Sequence, residues 1–172
     1  RSYNQKWNSL IKNTHEISMS LPSAFFLAYS DTNFIWARRE TPQMSQGVVV
    51  ANFVSWDLLN LNEIMIAIDS IIAPHILGPL PSSYMITDKV APITKEFITF
   101  GSLSGTKIQS LWRMQNDFMG GIYLAYLLQG NKNQNPKIIF TYLYAPGEKK
   151  NVYLTQMEAM VSSARINNYS NK

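Results

Sequence analysis

Residues 95–144 read KEFITFGSLSGTKIQSLWRMQNDFMGGIYLAYLLQGNKNQNPKIIFTYLY. Four runs rich in β-branched and aromatic residues occupy this stretch: Lys95–Leu103, Thr106–Gln115, Phe118–Leu128 and Lys137–Tyr144. Such runs, broken by small polar residues, are the pattern of sequential strands. Ser104–Gly105 and Asn116–Asp117 are expected as tight hairpin turns, and Gly130 to Pro136 as a polar loop. In Thr106–Gln115, Ile108, Trp112 and Met114 share one face with Ser110. Lys107, Gln109, Arg113 and Gln115 share the other with Leu111. Phe118–Leu128 is apolar on both faces, as expected of an interior strand covered on both sides. The pair Gly120–Gly121 inside it marks a bulge or a close approach, with Trp112 or another large residue using the vacated space.

Working outward, Ala24–Ser30 and Asn33–Arg39 flank Asp31–Thr32, a two-residue turn signal, and Gly47–Trp56 is a further strand rich in Val and aromatics. Three segments carry helical periodicity. Ser2 with Gln5 resembles a capping box ahead of Tyr3, Trp7, Leu10 and Ile11. Asn60 with Glu63 repeats that signature ahead of Ile64, Ile68, Ile71 and Ile72, and Pro74 stops the helix. Tyr153, Met157, Met160, Val161 and Ala164 form a third stripe. Its start is loose, because Lys149 and Lys150 suit the positive end of the helix dipole poorly. Runs of strands joined by tight turns with helices near the ends predict one α+β domain. It would hold an antiparallel sheet of about six or seven strands, with helices near 3–13, 61–73 and 149–166. Gly78–Pro92 reads as a proline-rich loop.

The chain has 172 residues, of which 46% are hydrophobic and 15% charged. That excludes intrinsic disorder and is low in charge, since about a quarter is usual. The polarity is carried by Asn, Ser, Gln and Thr. The net charge of +4 is spread out. Arg38–Arg39 and Lys149–Lys150 are the adjacent basic pairs, each beside an acid, Glu40 or Glu148. A nucleic-acid binder would show a basic stripe, so no nucleic-acid partner is expected. Weak polyanion binding would need Arg38, Arg39, Lys107 and Arg113 to converge on one face. With no cysteine there are no disulfides, thiolate nucleophiles or cysteine metal sites. The most apolar stretch, Ile64 to Leu80, is interrupted by Asp69, Pro74 and His75 and falls short of a membrane span.

Two histidines sixty residues apart, with no clustered carboxylates at ligand spacing, predict no metal. A lone His75 after Pro74 is expected to hydrogen-bond a helix-terminal carbonyl. No P-loop or GxGxxG exists, and no cofactor is expected. Ser82 or Ser83 with His75 and Asp69 supplies the parts of a hydrolase triad, but no G-x-S-x-G elbow presents the serine. A serine hydrolase is therefore the alternative rather than the preferred class, and it requires a serine hydroxyl within about 3.2 Å of His75. Asp57, Asp88 and Asp117 fall where turns or caps are expected. The 21 aromatic residues (4 Trp, 9 Tyr, 8 Phe) fit either an aromatic sheet core or a surface that grips a partner or a sugar.

Several motifs occur together in order. They are Gly78-Pro79-Leu80-Pro81-Ser82-Ser83-Tyr84-Met85-Ile86-Thr87, Leu111-Trp112, Asp117-Phe118-Met119-Gly120-Gly121, and Tyr144-Ala145-Pro146 followed by Lys149–Lys150 and Gln156-Met157-Glu158-Ala159. Upstream stand Leu21-Pro22 and Asn33-Phe34-Ile35-Trp36. Together they resemble an uncharacterised family of Bacteroidota envelope lipoproteins, a domain of unknown function. The resemblance implies that this chain is the C-terminal part of a longer protein, tethered in the cell envelope by a lipid anchor on a preceding segment. It implies no activity and no catalytic residue. The preferred function is accordingly a non-enzymatic envelope module that binds another envelope protein or a glycan, or scaffolds an assembly. Ser82, Ser83 and Tyr84 of the Gly78–Thr87 loop, with Arg113, Gly120 and Gly121, are the candidate binding residues.

Overall fold

The computed structural model describes residues 4–55, 59–129 and 134–167. Ser2, Tyr3, Trp56, Asp57 and Gly130, singled out above, lie outside the described residues. The elements run α1 (Gln5–His15), β1 (Ile17–Ser18), β2 (Phe26–Ser30), β3 (Phe34–Thr41), β4 (Met44–Asn52), α2 (Leu61–Ile72) and β5 (Tyr84–Thr87). They continue through β6 (Thr94–Phe100), β7 (Leu103–Gln115), β8 (Gly120–Leu128), β9 (Lys137–Tyr144), α3 (Asn151–Ser162) and β10 (Arg165–Ile166). Eight strands form one antiparallel sheet in the order β2-β3-β4-β9-β8-β7-β5, with β6 paired to the other half of β7. The short strands β1 and β10 make a separate two-stranded ribbon. The expected α+β class with an antiparallel sheet is what the chain adopts.

Period-two alternation gives the sheet two buried faces, and each recruits its own helices. On one face Ile35, Val48, Val50, Leu124, Ile139 and Leu143 pack against Trp7 and Ile11 of α1 and Met157, Met160 and Val161 of α3. On the other, Trp36, Val49, Ile108, Tyr123 and Phe140 pack under Ile64, Ile68 and Ile72 of α2. β8 lies between β7 and β9 with Tyr123 to Leu128 all buried, as its two apolar faces predict.

Local chemistry moves several boundaries. α1 starts two residues later than expected because Asn4 is its cap, its side-chain oxygen accepting from the Trp7 amide at 3.0 Å. The Asn60–Glu63 capping box forms as expected, with reciprocal bonds of 3.0 and 2.9 Å. α3 spans 151–162 rather than 149–166. It has no side-chain cap at Lys150, and its end is turned off when the Ser163 and Ala164 amides donate back to Met160 and Val161. The residues beyond peel away, and Arg165–Ile166 pairs with Ile17–Ser18. The β6–β7 turn falls at residues 101–102, where Phe100 pairs with Leu103 and Gly101 adopts φ +58°, and not at Ser104–Gly105. Gly105 lies inside β7, where a Cβ would overlap the Leu127 carbonyl of β8. Its smallness serves a close strand approach rather than a turn. The proline-rich segment holds a strand, β5, whose four residues pair with Trp112 to Gln115 of β7.

His15 closes α1 as a buried side chain. Burial first, and then the nearby Lys137 ammonium, lowers its pKa from 6.5 to about 4. Between those values the unfolded chain binds more protons than the folded one, so stability rises with pH across that window and is lost as the pH falls from 6.5 towards 4. Thermal unfolding followed over that range should show a falling Tm, and His15→Leu should flatten the slope.

Candidate functional site

The open part of the α2-side face lies beyond the C-terminal end of that helix. There, side chains from β3, β4, β9 and β7 meet the segment 76–79 and border a groove of about 380 Å³. Alternation decides which side chains reach it: Trp36, Arg38 and Glu40 from β3, Tyr142 and Tyr144 from β9, and Trp112 and Met114 from β7. Two glycines let the large rings lie down. A Cβ on Gly47 would overlap the Tyr142 ring, and a Cβ on Gly121 would overlap the Leu143 carbonyl and approach Trp112 Nε1 to 2.9 Å. The Trp112 indole N–H donates to the Leu143 carbonyl at 3.2 Å, and the Trp36 indole N–H donates to the Tyr142 hydroxyl at 3.2 Å. Trp112 and Tyr142 meet edge to face with centroids 6.0 Å apart. Burial keeps the Tyr142 phenol protonated far above its usual range.

Arg38 and Glu40 form an ion pair of 3.3 Å at the rim, and the Arg38 guanidinium also sits over the Trp36 and Phe26 rings at 5.4 and 5.3 Å. Met85, Met114 and Met119 supply the flexible part of the lining, and the exposed Leu77 stands at its edge. The wall is fixed by Asp69 of α2, whose carboxylate accepts from the Thr87 amide at 2.7 Å and hydroxyl at 2.8 Å, and pairs with Lys89 at 2.7 Å. Asp69→Ala leaves the buried Thr87 amide without its partner and should cost about 1–3 kcal/mol in denaturant unfolding.

The sequence-derived site residues divide. Arg113, Gly120 and Gly121 line a second hollow of about 360 Å³ that adjoins the groove at Trp112, Met114 and Met119, with the fully exposed Phe118 at its side. Arg113 is exposed and donates to Gln115 at 3.0 Å. Ser82, Ser83 and Tyr84 line neither space. Ser82 is the left-handed residue of a turn (φ +58°), its carbonyl accepting from the Asn116 side chain at 2.9 Å. Ser83 is buried and donates its hydroxyl to the Leu80 carbonyl at 2.6 Å. Tyr84 begins β5, opposite Gln115. These three shape the loop that presents Gly78 and Pro79 to the groove.

The hydrolase arrangement does not form. The His75 ring stacks on Phe34 at 4.2 Å and meets Tyr29 at a tilt with centroids 4.7 Å apart, and among the described residues no hydrogen bond joins it to either serine. His75 therefore makes aromatic contacts, where a bond to a terminal carbonyl was expected. The four basic residues do not converge either. Arg38 and Arg39 are consecutive on β3 and point to opposite faces, and Lys107 is engaged by Glu96 and Glu158. Among the described residues no group of three metal-ligating side chains occurs, and no helix is long and apolar enough to cross a membrane. Asp88 and Asp117 do serve turns, accepting from the Val90 and Phe118 amides.

Sequence reasoning missed Trp36, Arg38, Tyr142 and Tyr144 as groove residues. The available signal was the period-two recurrence of aromatics in Phe34–Trp36 and Phe140–Tyr142–Tyr144.

Residues 4–163 match the family described as Domain of unknown function (DUF4837). The chain belongs to that family. The DUF4837 match takes in all three helices and every strand of the large sheet. Among solved structures, the Ran-binding protein Mog1p of Saccharomyces cerevisiae is similar at a TM-score of 0.51 and 9% identity, covering 90% of this chain and 92% of that one. A mutant of the protein Mog1 aligns at a TM-score of 0.48 and 9% identity, covering 90% of this chain and 93% of that one. The likeness to Mog1p is one of fold. No curated protein matches the DUF4837 chain.

Proposed function

We propose that this domain is a non-enzymatic binding module of the cell envelope that takes an extended, apolar-anchored segment of a partner protein in the α2-side groove. The groove itself carries the reading: an aromatic and methionine floor with one ion pair at its rim. Methionine side chains adapt to differing apolar anchors, and a rim holding both charge signs suits a segment whose anchor is flanked by charges. A glycan is less well served, because Trp36, Trp112 and Tyr142 are buried and leave little open ring face for a sugar to stack on. Strand addition at β5 is also disfavoured, since Gly78 and Met85 already bond across its outer side, to Ser83 and Ile76.

The envelope setting, with a lipid anchor on a preceding segment, follows the family resemblance. Recovery of the full-length protein in the soluble cytosolic fraction would contradict it. Binding is tested by selecting a displayed peptide library on the immobilised chain. Peptides with an aliphatic or aromatic anchor should enrich, and Met119→Glu should weaken them at least tenfold while leaving circular dichroism unchanged. Absence of enrichment, or enrichment indifferent to Met119→Glu, overturns the proposal.

A further inference from the structure

The opposite face of the sheet holds a second space that the reading above does not use. It is a cavity of about 550 Å³ between the segment before β2 and the last turns of α3. Arg39 and Gln46 form its polar side, and they are directly paired across β3 and β4. Both are unusual. Gln46 is fully buried, yet neither its amide nitrogen nor its amide oxygen has a hydrogen-bond partner. Arg39 makes no ion pair among the described residues, and its buried Nε is likewise unpartnered. One terminal nitrogen donates to Gln156 at 3.3 Å, and the guanidinium lies over the Phe25 ring at 5.6 Å. Phe25 and Met160 supply apolar walls. Buried amides are almost always satisfied, so an orphaned donor and acceptor on one side chain, beside a guanidinium with no carboxylate partner among the described residues, call for a complementary group.

We propose that this cavity binds a small carboxylate with an adjacent amide, the chemistry shared by a peptide C-terminus and an N-acylated amino acid. The guanidinium can present parallel N–H groups to the carboxylate, and its contacts with the Phe25 ring and Gln156 hold it at the cavity. The Gln46 amide offers one N–H and one C=O, which an amide C=O and N–H complete together. A phosphate would satisfy Arg39 but lacks the adjacent amide C=O and N–H pair that completes both ends of the Gln46 amide. The volume falls within the roughly 300–1,000 Å³ of small-ligand sites.

The test is an amide chemical-shift titration of the full chain with four probes: N-acetyl-leucine, its primary amide, a tripeptide with a free C-terminus, and inorganic phosphate. N-acetyl-leucine or the tripeptide should saturate shifts at residues 39, 46 and 156–163, and whichever binds more tightly identifies the source. The primary amide should bind at least tenfold more weakly. Arg39→Lys and Gln46→Met should each weaken the carboxylate probe at least fivefold with the folded spectrum retained. No saturable shift with either carboxylate, equal binding of the primary amide or of phosphate, or full affinity in both variants would overturn the assignment.

Discussion

Gly121→Ala should destabilise the chain by about 3 kcal/mol or more, the upper end of what overpacking a sheet interior costs. The added methyl would overlap the Leu143 backbone carbonyl and press on the Trp112 indole, so neither a rotamer change nor a side-chain swing relieves it. Strand β8 would have to separate from β9 at the centre of the sheet, or the indole would have to leave its bond to Leu143. Chemical denaturation reads the effect, and the alanine variant should unfold at markedly lower denaturant with an unchanged m value. Gly120→Ala is the matched control. Gly120 is exposed, and a Cβ there would sit 3.0 Å from the Trp112 carbonyl oxygen, a milder conflict at the strand end.

Trp112→Ala should cost about 3–5 kcal/mol, the range for deleting a buried large aromatic side chain. The indole is almost fully buried, contacts Tyr142 and Tyr144, and spends its N–H on a backbone carbonyl. Its loss opens a void under the groove floor and leaves the Leu143 oxygen short of a donor. Trp112→Phe keeps most of the buried area and loses the bond, and should cost less than half as much. If the two variants were equally unstable, the hydrogen bond rather than the packing would dominate, contrary to the burial argument.

The same residues show what the sequence makes legible. The helices near 61–73 and at the chain start, and the strands through residue 144, follow from periodicity, because a side chain must face either a core or solvent whatever the topology. Trp112 could be matched to the glycine pair because both observations concern one missing side chain and one large one. The groove was harder to read. Trp36, Tyr142 and Trp112 are 30 or more residues apart in sequence and converge only through the β3-β4-β9-β8-β7 order, which alternation does not specify. Strand β5 was hidden by the prolines around it, Pro79, Pro81 and Pro92, although Tyr84 to Thr87 suits extended backbone and Asp69 pins its end at Thr87. The Ser104–Gly105 turn was misplaced for a physical reason: glycine serves both turns and close strand contacts, and only the position of β8 separates the two uses. Arg39 and Gln46 looked like ordinary polar positions on a strand, and became notable once α3 roofed them and left the Gln46 amide and the Arg39 Nε without partners.

Occupancy of the α2-side groove can be mapped residue by residue. Amide chemical shifts should be followed while the strongest peptide from the library selection, made with an amidated C-terminus, is titrated into the chain. Saturating shifts are predicted to gather at residues 76–79, 112–119 and 142–144 and to spare α1 and α3. Shifts gathered instead on α3 and residues 39–46, or spread over the surface without saturation, would contradict it.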